Sequence, residues 1–225
     1  MVEASQIIDM MLGLIAFVFS ATCHEAAHAW AALKGGDETA YLGGQVSLDP
    51  LPHIRRSPFG MVLAPILCTL LMGYPMGWAS APYDPYWASR HPHRHGFMSL
   101  AGPLANLVIA IVVLILLKIG LSNGLFLEAL NSQQATGKNS PWMAVFELLL
   151  TLYELNVILF LFNLIPLPPL DGTGVLLLFF PEEKAADITG TINGIGVFGL
   201  PLAWILFSSL LNKTPVMEFV RSMLY

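Results

Sequence analysis

Residues 7–33 read IIDMMLGLIAFVFSATCHEAAHAWAAL, and the fold turns on that stretch. It contains no proline, and Gly35 and Gly36 follow it, as suits a helix C-terminus. As one helix it is about 40 Å long at 1.5 Å per residue, enough to cross a hydrocarbon core of about 30 Å. Three ionisable side chains, His24, Glu25 and His28, interrupt its apolar character within five residues. Such groups are costly at membrane depth, so a functional role is the default reading.

The whole chain agrees with a bilayer environment. Of 225 residues, 56% are hydrophobic and 11% are charged. A soluble domain of this size carries about 25% charged residues. One membrane-embedded domain over residues 1–225 is expected, with no room for a second soluble one. A net charge of -5 without a long basic run argues against nucleic acid as a partner. No Lys or Arg precedes the first apolar stretch, so it reads as a retained helix and not a secretory signal. Cys23 and Cys68 both lie in apolar runs and read as small buried residues, not as a disulfide.

Three further stretches, residues 97–121, 142–166 and 188–211, are long and apolar enough to span. A fifth, residues 59–79, is interrupted by Pro65, Gly73, Pro75 and Gly77. Lys34, Arg55 and Arg56 precede it, and Arg90 and Arg94 follow it. If positive loops stay inside, both its ends face the cytoplasm, which predicts a re-entrant hairpin; a fifth spanning segment is the alternative. The N-terminus then lies outside, residues 122–141 form an external loop, and residues 181–187 are cytoplasmic. Residues 41–48, YLGGQVSL, read as one or two short strands. The expected class is therefore an all-α polytopic membrane protein: four spanning helices, a re-entrant or fifth segment, and a short membrane-associated β segment.

The chemistry starts from His24-Glu25-Ala26-Ala27-His28, an HExxH motif. Residues four apart share one helix face, so both imidazoles can point at one metal ion. Glu25 is close enough to take a proton from water at that metal, the arrangement of a metalloprotease. The bland alternative is a chance match, which the membrane setting disfavours. A catalytic zinc needs a third protein ligand. Asp171 is the candidate, because Pro166, Pro168 and Pro169 break the chain just before it and can aim its carboxylate inward. Alternatively, Asp171 merely caps a helix beginning at Gly172.

With HExxH, the segment Ser99-Leu-Ala-Gly-Pro-Leu-Ala-Asn106, and Asn163-Leu-Ile-Pro-Leu-Pro-Pro-Leu-Asp171-Gly172 in this order, the chain resembles the site-2 protease family of intramembrane zinc metalloproteases. The resemblance covers about residues 21–174 and includes Gly44-Gln-Val-Ser-Leu-Asp-Pro-Leu-Pro-His53-Ile54. It is to the minimal branch, without PDZ or CBS domains. It implies that His24, His28 and Asp171 bind one zinc ion per chain. Glu25 would activate water and protonate the leaving amine, and Asn163 would steady the oxyanion. The extended segment after the first helix would pair with an unwound substrate strand. Substrates would be single-pass membrane proteins cleaved in or near their spans. The protein would be integral to the cell membrane, its site toward the cytoplasm. Two departures bear on substrate handling. Ile54-Arg55-Arg56 follows His53 where the family often has an Asp, and residues 82–95 carry Tyr83, Tyr86 and Trp87.

Two rival functions remain. A catalytically silent scaffold or chaperone would lack one of the site residues, whereas all are present. A metal transporter would distribute acidic or His pairs through several helices, whereas these cluster at one depth. His91, His93 and His95 read as a headgroup-facing stretch, with an accessory metal site or pH sensing as the alternative, and His53 as structural; all four lie outside the expected zinc set. Asn106 and Asn156 read either as polar contacts between helices or as supports of the metal site. Gly190 and Gly194 form a GxxxG pair that suggests helix packing.

Overall fold

The computed structural model describes residues 4–136, 141–194, 196–213 and 222–223. Its helices are α1 (Ala4–Gly35), α2 (Thr39–Leu42), α3 (Pro50–Arg56), α4 (Ala64–Met72), α5 (Pro85–Arg90), α6 (Pro92–Ser122), α7 (Leu125–Thr136), α8 (Pro141–Asn163), α9 (Gly172–Leu176), α10 (Glu182–Asn193) and α11 (Gly199–Lys213). Among the described residues α1, α6 and α8 are each long and apolar enough to cross a membrane, and a bent helix pair raises the number to four.

These three helices pack against one another and hold the core. On α1 the buried face runs through Ala16, Phe17, Ser20, His24, His28 and Ala32, while Met11, Ile15, Phe19 and Trp30 are about half exposed. An apolar outer face with polar groups turned inward is the reverse of a soluble helix. The facing stripe of α6 is built from small residues, Gly96, Ser99, Gly102, Asn106 and Ala110, all buried. Small residues let helix backbones approach where the solvent drives no apolar association. Pro103 lies inside α6 and removes the hydrogen bond that Ser99 would accept, loosening the helix there.

Residues 59–79 leave and return. A π-helical turn, Phe59–Leu63, leads into α4, and Gly73, at φ 85°, reverses the chain. Trp78 N–H then donates to Gly60 O at 3.1 Å, so the two arms meet again. The approach requires glycine on both sides: a Cβ on Gly60 would lie 2.1 Å from Trp78 O, and one on Gly77 2.2 Å from Gly60 O. Phe17, Ala21 and Met61 pack the hairpin onto α1.

Two sequence expectations need correction. The described residues contain no strand, and 41–48 are not β structure. The buried Asp37 carboxylate accepts from the Thr39 N–H and hydroxyl and nucleates the short helix α2 instead. Gln45 N–H closes back on Ala40 O at 2.9 Å, and Gly44 turns at φ 74°, which leaves residues 46–48 bent. Asp84 N–H also donates to Asp37, tying the exit of the hairpin to the end of α1. Burial opposes ionisation of Asp37, but these three hydrogen bonds outweigh it and hold its carboxyl below its ordinary value.

The stretch 188–211 is not one helix. It divides between α10 and α11, with Gly194, Gly196 and Gly199 at the break, and among the described residues neither part qualifies as a span by length and hydropathy. Among the described residues a Cβ on Gly190 would meet nothing within 4 Å.

Candidate metal centre

His24 and His28 lie one turn apart on the buried face of α1 and are 7% and 5% exposed. Their rings meet edge to face, with Nε2 atoms 2.9 Å apart. Asp171 closes the group from the far end of the chain: its Oδ2 is 3.0 Å from His24 Nε2 and its Oδ1 3.2 Å from His28 Nε2. Each of the three residues offers a ligand atom within 4.8 Å of the other two.

The loop that delivers Asp171 is shaped by its sequence. Leu167 N–H bonds Ile165 O, and Leu170 N–H bonds Leu167 O, compressing the proline-rich segment into successive turns. Gly172 sits so close beneath them that a Cβ would lie 2.4 Å from the carbonyl oxygens of Leu164 and Ile165. Asp171 does occupy the N-cap position of α9, yet its side chain makes no capping hydrogen bond. The carboxylate is turned to the histidines instead, so the capping alternative does not describe it.

The donors suit zinc. His28 Nδ1 lies 2.7 Å from Met98 O, and a carbonyl can only accept, so Nδ1 carries the proton and Nε2 presents its lone pair. His24 Nδ1 faces Asn106 Oδ1 at 2.6 Å. Two bare nitrogens and a carboxylate converging in a buried site repel one another unless a cation or protons lie between them. Two imidazoles and one carboxylate, with an open position left for water, are a catalytic zinc set. Gly102 of α6 makes the room: a Cβ there would stand 2.3 Å from His28 Nε2 and 2.5 Å from His24 Nε2. Sequence reading passed over this glycine, although its place inside the Ala-Gly-Pro run was the available signal.

Glu25 is 5% exposed, and its Oε2 is buried without a hydrogen-bond partner among the described residues. An unpartnered buried carboxylate oxygen is costly and is suited to hold a reacting water or its proton. Asn163 stands at the end of α8, where its Nδ2 donates to Leu159 O at 3.0 Å. His53 is fully buried with Nε2 2.9 Å from Ser47 O, and His93 bonds Phe180 O; neither belongs to the cluster.

A cleft of about 660 Å³ opens between α1, α6 and residues 46–48, lined by Cys23, Ala27, Trp30, Leu48, Leu104 and Val108 and not by His24, Glu25, His28 or Asp171 themselves. Its lining is mostly apolar.

Comparison with known proteins agrees with this chemistry. The model described as Peptidase family M50 matches residues 12–202. Over 205 residues the chain is 33% identical to a Bacillus subtilis protein named "Putative zinc metalloprotease YwhC", covering 88% of this chain and 85% of that one. Over 167 residues it is 29% identical to "Putative zinc metalloprotease Rip2" of Mycolicibacterium smegmatis, covering 74% of this chain and 56% of that one. No solved structure matches.

Proposed function

The chain belongs to Peptidase family M50, and from that premise we propose that it hydrolyses peptide bonds of membrane proteins within or beside the bilayer, using one zinc ion per chain held by His24, His28 and Asp171. It is an integral membrane protein and a metalloprotease of the site-2 type. The observation that carries the finer reading is the convergence of two imidazoles of a membrane-length helix and the Asp171 carboxylate, beside a buried glutamate oxygen without a partner among the described residues.

Held by His24, His28 and Asp171, a zinc ion would supply Lewis acidity toward water and the scissile carbonyl. The chain's own residues do the rest. Glu25 accepts a proton at its free Oε2 and returns it to the departing amine nitrogen. Asn163, at the mouth of the Asp171 loop, donates toward the developing oxyanion after releasing Leu159 O. The apolar cleft receives a substrate segment that has lost its helical hydrogen bonds. Residues 59–79 enter and leave the membrane on the cytoplasmic side. The site faces the cytoplasm of a cell membrane, and the substrates are single-pass proteins. The flanking Lys34, Arg55, Arg56, Arg90 and Arg94 support that orientation.

Proteoliposomes holding the purified protein and a single-pass membrane peptide test this. Chelator-sensitive cleavage without zinc flux is expected. Flux without cleavage would make the protein a transporter. Neither, from folded protein, would make it a silent scaffold.

A further inference from the structure

The two histidines are steadied differently. Met98 O reaches His28 directly. His24 has only the amide of Asn106, which could present either its oxygen or its nitrogen. What decides the choice lies two residues further on.

Asn156, on α8, is fully buried, and its Nδ2 lies 2.8 Å from Leu152 O and 2.8 Å from Ser20 Oγ. Leu152 O is a carbonyl and can only accept. The NH2 group of Asn156 must therefore face it, which leaves Asn156 Oδ1 pointing at Asn106. Asn106 must answer with its own Nδ2, at 2.8 Å. Its Oδ1 then faces His24 Nδ1 at 2.6 Å, where only a protonated Nδ1 fits. His24 Nε2 is thereby left bare toward Asp171 and His28. Reversing either amide would set two donors or two acceptors face to face in a buried site, leaving polar groups unsatisfied.

We propose that Asn106 and Asn156 are positioning residues that transmit the polarity of the Leu152 carbonyl on α8 to His24 on α1, fixing its tautomer and ring orientation for zinc. The relay crosses α8, α6 and α1, so it also locks the three helices in register. It accounts for two fully buried asparagines and for Ser20, whose side chains make no hydrogen bond to Asp171 or Glu25 among the described residues. The inference rests on the zinc reading of the site.

The test uses full-length protein in detergent, with zinc affinity measured by chelator competition and the His24 tautomer by 15N NMR of labelled, zinc-free protein at a pH where both rings are neutral. Supports of metal ligands are worth about 10- to 100-fold in affinity. Asn106→Leu is expected to weaken zinc binding within that range. Asn156→Leu, which touches no ligand, is expected to weaken it about 10-fold and to turn a single Nδ1–H form of His24 into a mixture. Thr69→Val removes another buried hydrogen bond, to Pro65 O in the hairpin, and should change stability without changing either readout. Should Asn156→Leu not fold, Asn156→Thr keeps a hydroxyl for Leu152 O but withdraws the acceptor from Asn106, with the same loss expected. Unchanged affinity and an unchanged tautomer in the asparagine variants would overturn the relay, as would an equal loss in Thr69→Val. Wild-type protein that binds no zinc would sink the zinc reading, while the tautomer measurement would still decide the relay.

Discussion

Replacing Gly102 by alanine puts one methyl group where the two ligand nitrogens converge. The added carbon would stand 2.3 Å from His28 Nε2 and 2.5 Å from His24 Nε2, against a comfortable separation of about 3.5 Å. Something must therefore move by about 1 Å. The rings have no room to retreat, because their other nitrogens already sit 2.6 Å and 2.7 Å from Asn106 Oδ1 and Met98 O. If α6 withdraws instead, it leaves α1 and carries those two acceptors with it. Zinc–nitrogen bonds are about 2.0–2.1 Å and tolerate about 0.2 Å. A displacement of about 1 Å at the reacting groups costs about 100-fold in rate, and overpacking a tight site costs about 1–3 kcal/mol of stability. Gly102→Ala is thus expected to lower zinc affinity by at least about 100-fold, read by chelator competition on purified protein. Gly190→Ala is the control, since its methyl group meets nothing within 4 Å and should leave affinity unchanged. Wild-type zinc affinity in Gly102→Ala would refute the placement of α6 against the histidines.

Three further outcomes are expected. Glu25→Gln should retain zinc and lose about 100- to 10,000-fold or more of hydrolytic rate, and preserved turnover would remove the general-base role. Gly60→Ala forces a Cβ to within 2.1 Å of a backbone oxygen that cannot swing aside. Its thermal stability should fall by about 3 kcal/mol, with a changed Trp78 environment, and a wild-type melt and emission spectrum would contradict the pairing of the two arms. Asp37, whose carboxyl is held low by three hydrogen bonds, stabilises the fold above its unfolded pKa of about 3.9, and that contribution is lost as pH falls through its lower folded pKa. Asp37→Asn should therefore flatten the acid limb of a stability–pH curve; an unchanged limb would show that the carboxylate does not support the turn.

The spans of α1, α6 and α8 were legible because long apolar runs admit little else, and HExxH was legible because four-residue spacing on a helix fixes a common face. Asp171 was legible only as a candidate. That its carboxylate faces the histidines and leaves α9 uncapped depends on how tightly residues 164–172 coil, which proline count alone does not reveal. Asn106 and Asn156 stayed ambiguous for a related reason: which helices face each other is a long-range fact, and the bonds that join them to each other and to α1 link residues 50 or more positions apart. The strand expected at residues 41–48 failed because a side chain outside the window, Asp37, supplies the acceptor that starts a helical turn. The single helix expected over 188–211 failed because apolar content outweighed the glycines that divide it.

Zinc content of detergent-purified protein, wild type against Asp171→Ala, tests the central claim most directly. Asp171 lies 147 positions from His24, and its closeness to the pair is what turns an HExxH helix into a metal centre. About one zinc per chain in the wild type, lost in the variant, is the predicted result. Zinc retained at full stoichiometry and affinity in Asp171→Ala, or a wild type that binds none, would contradict it.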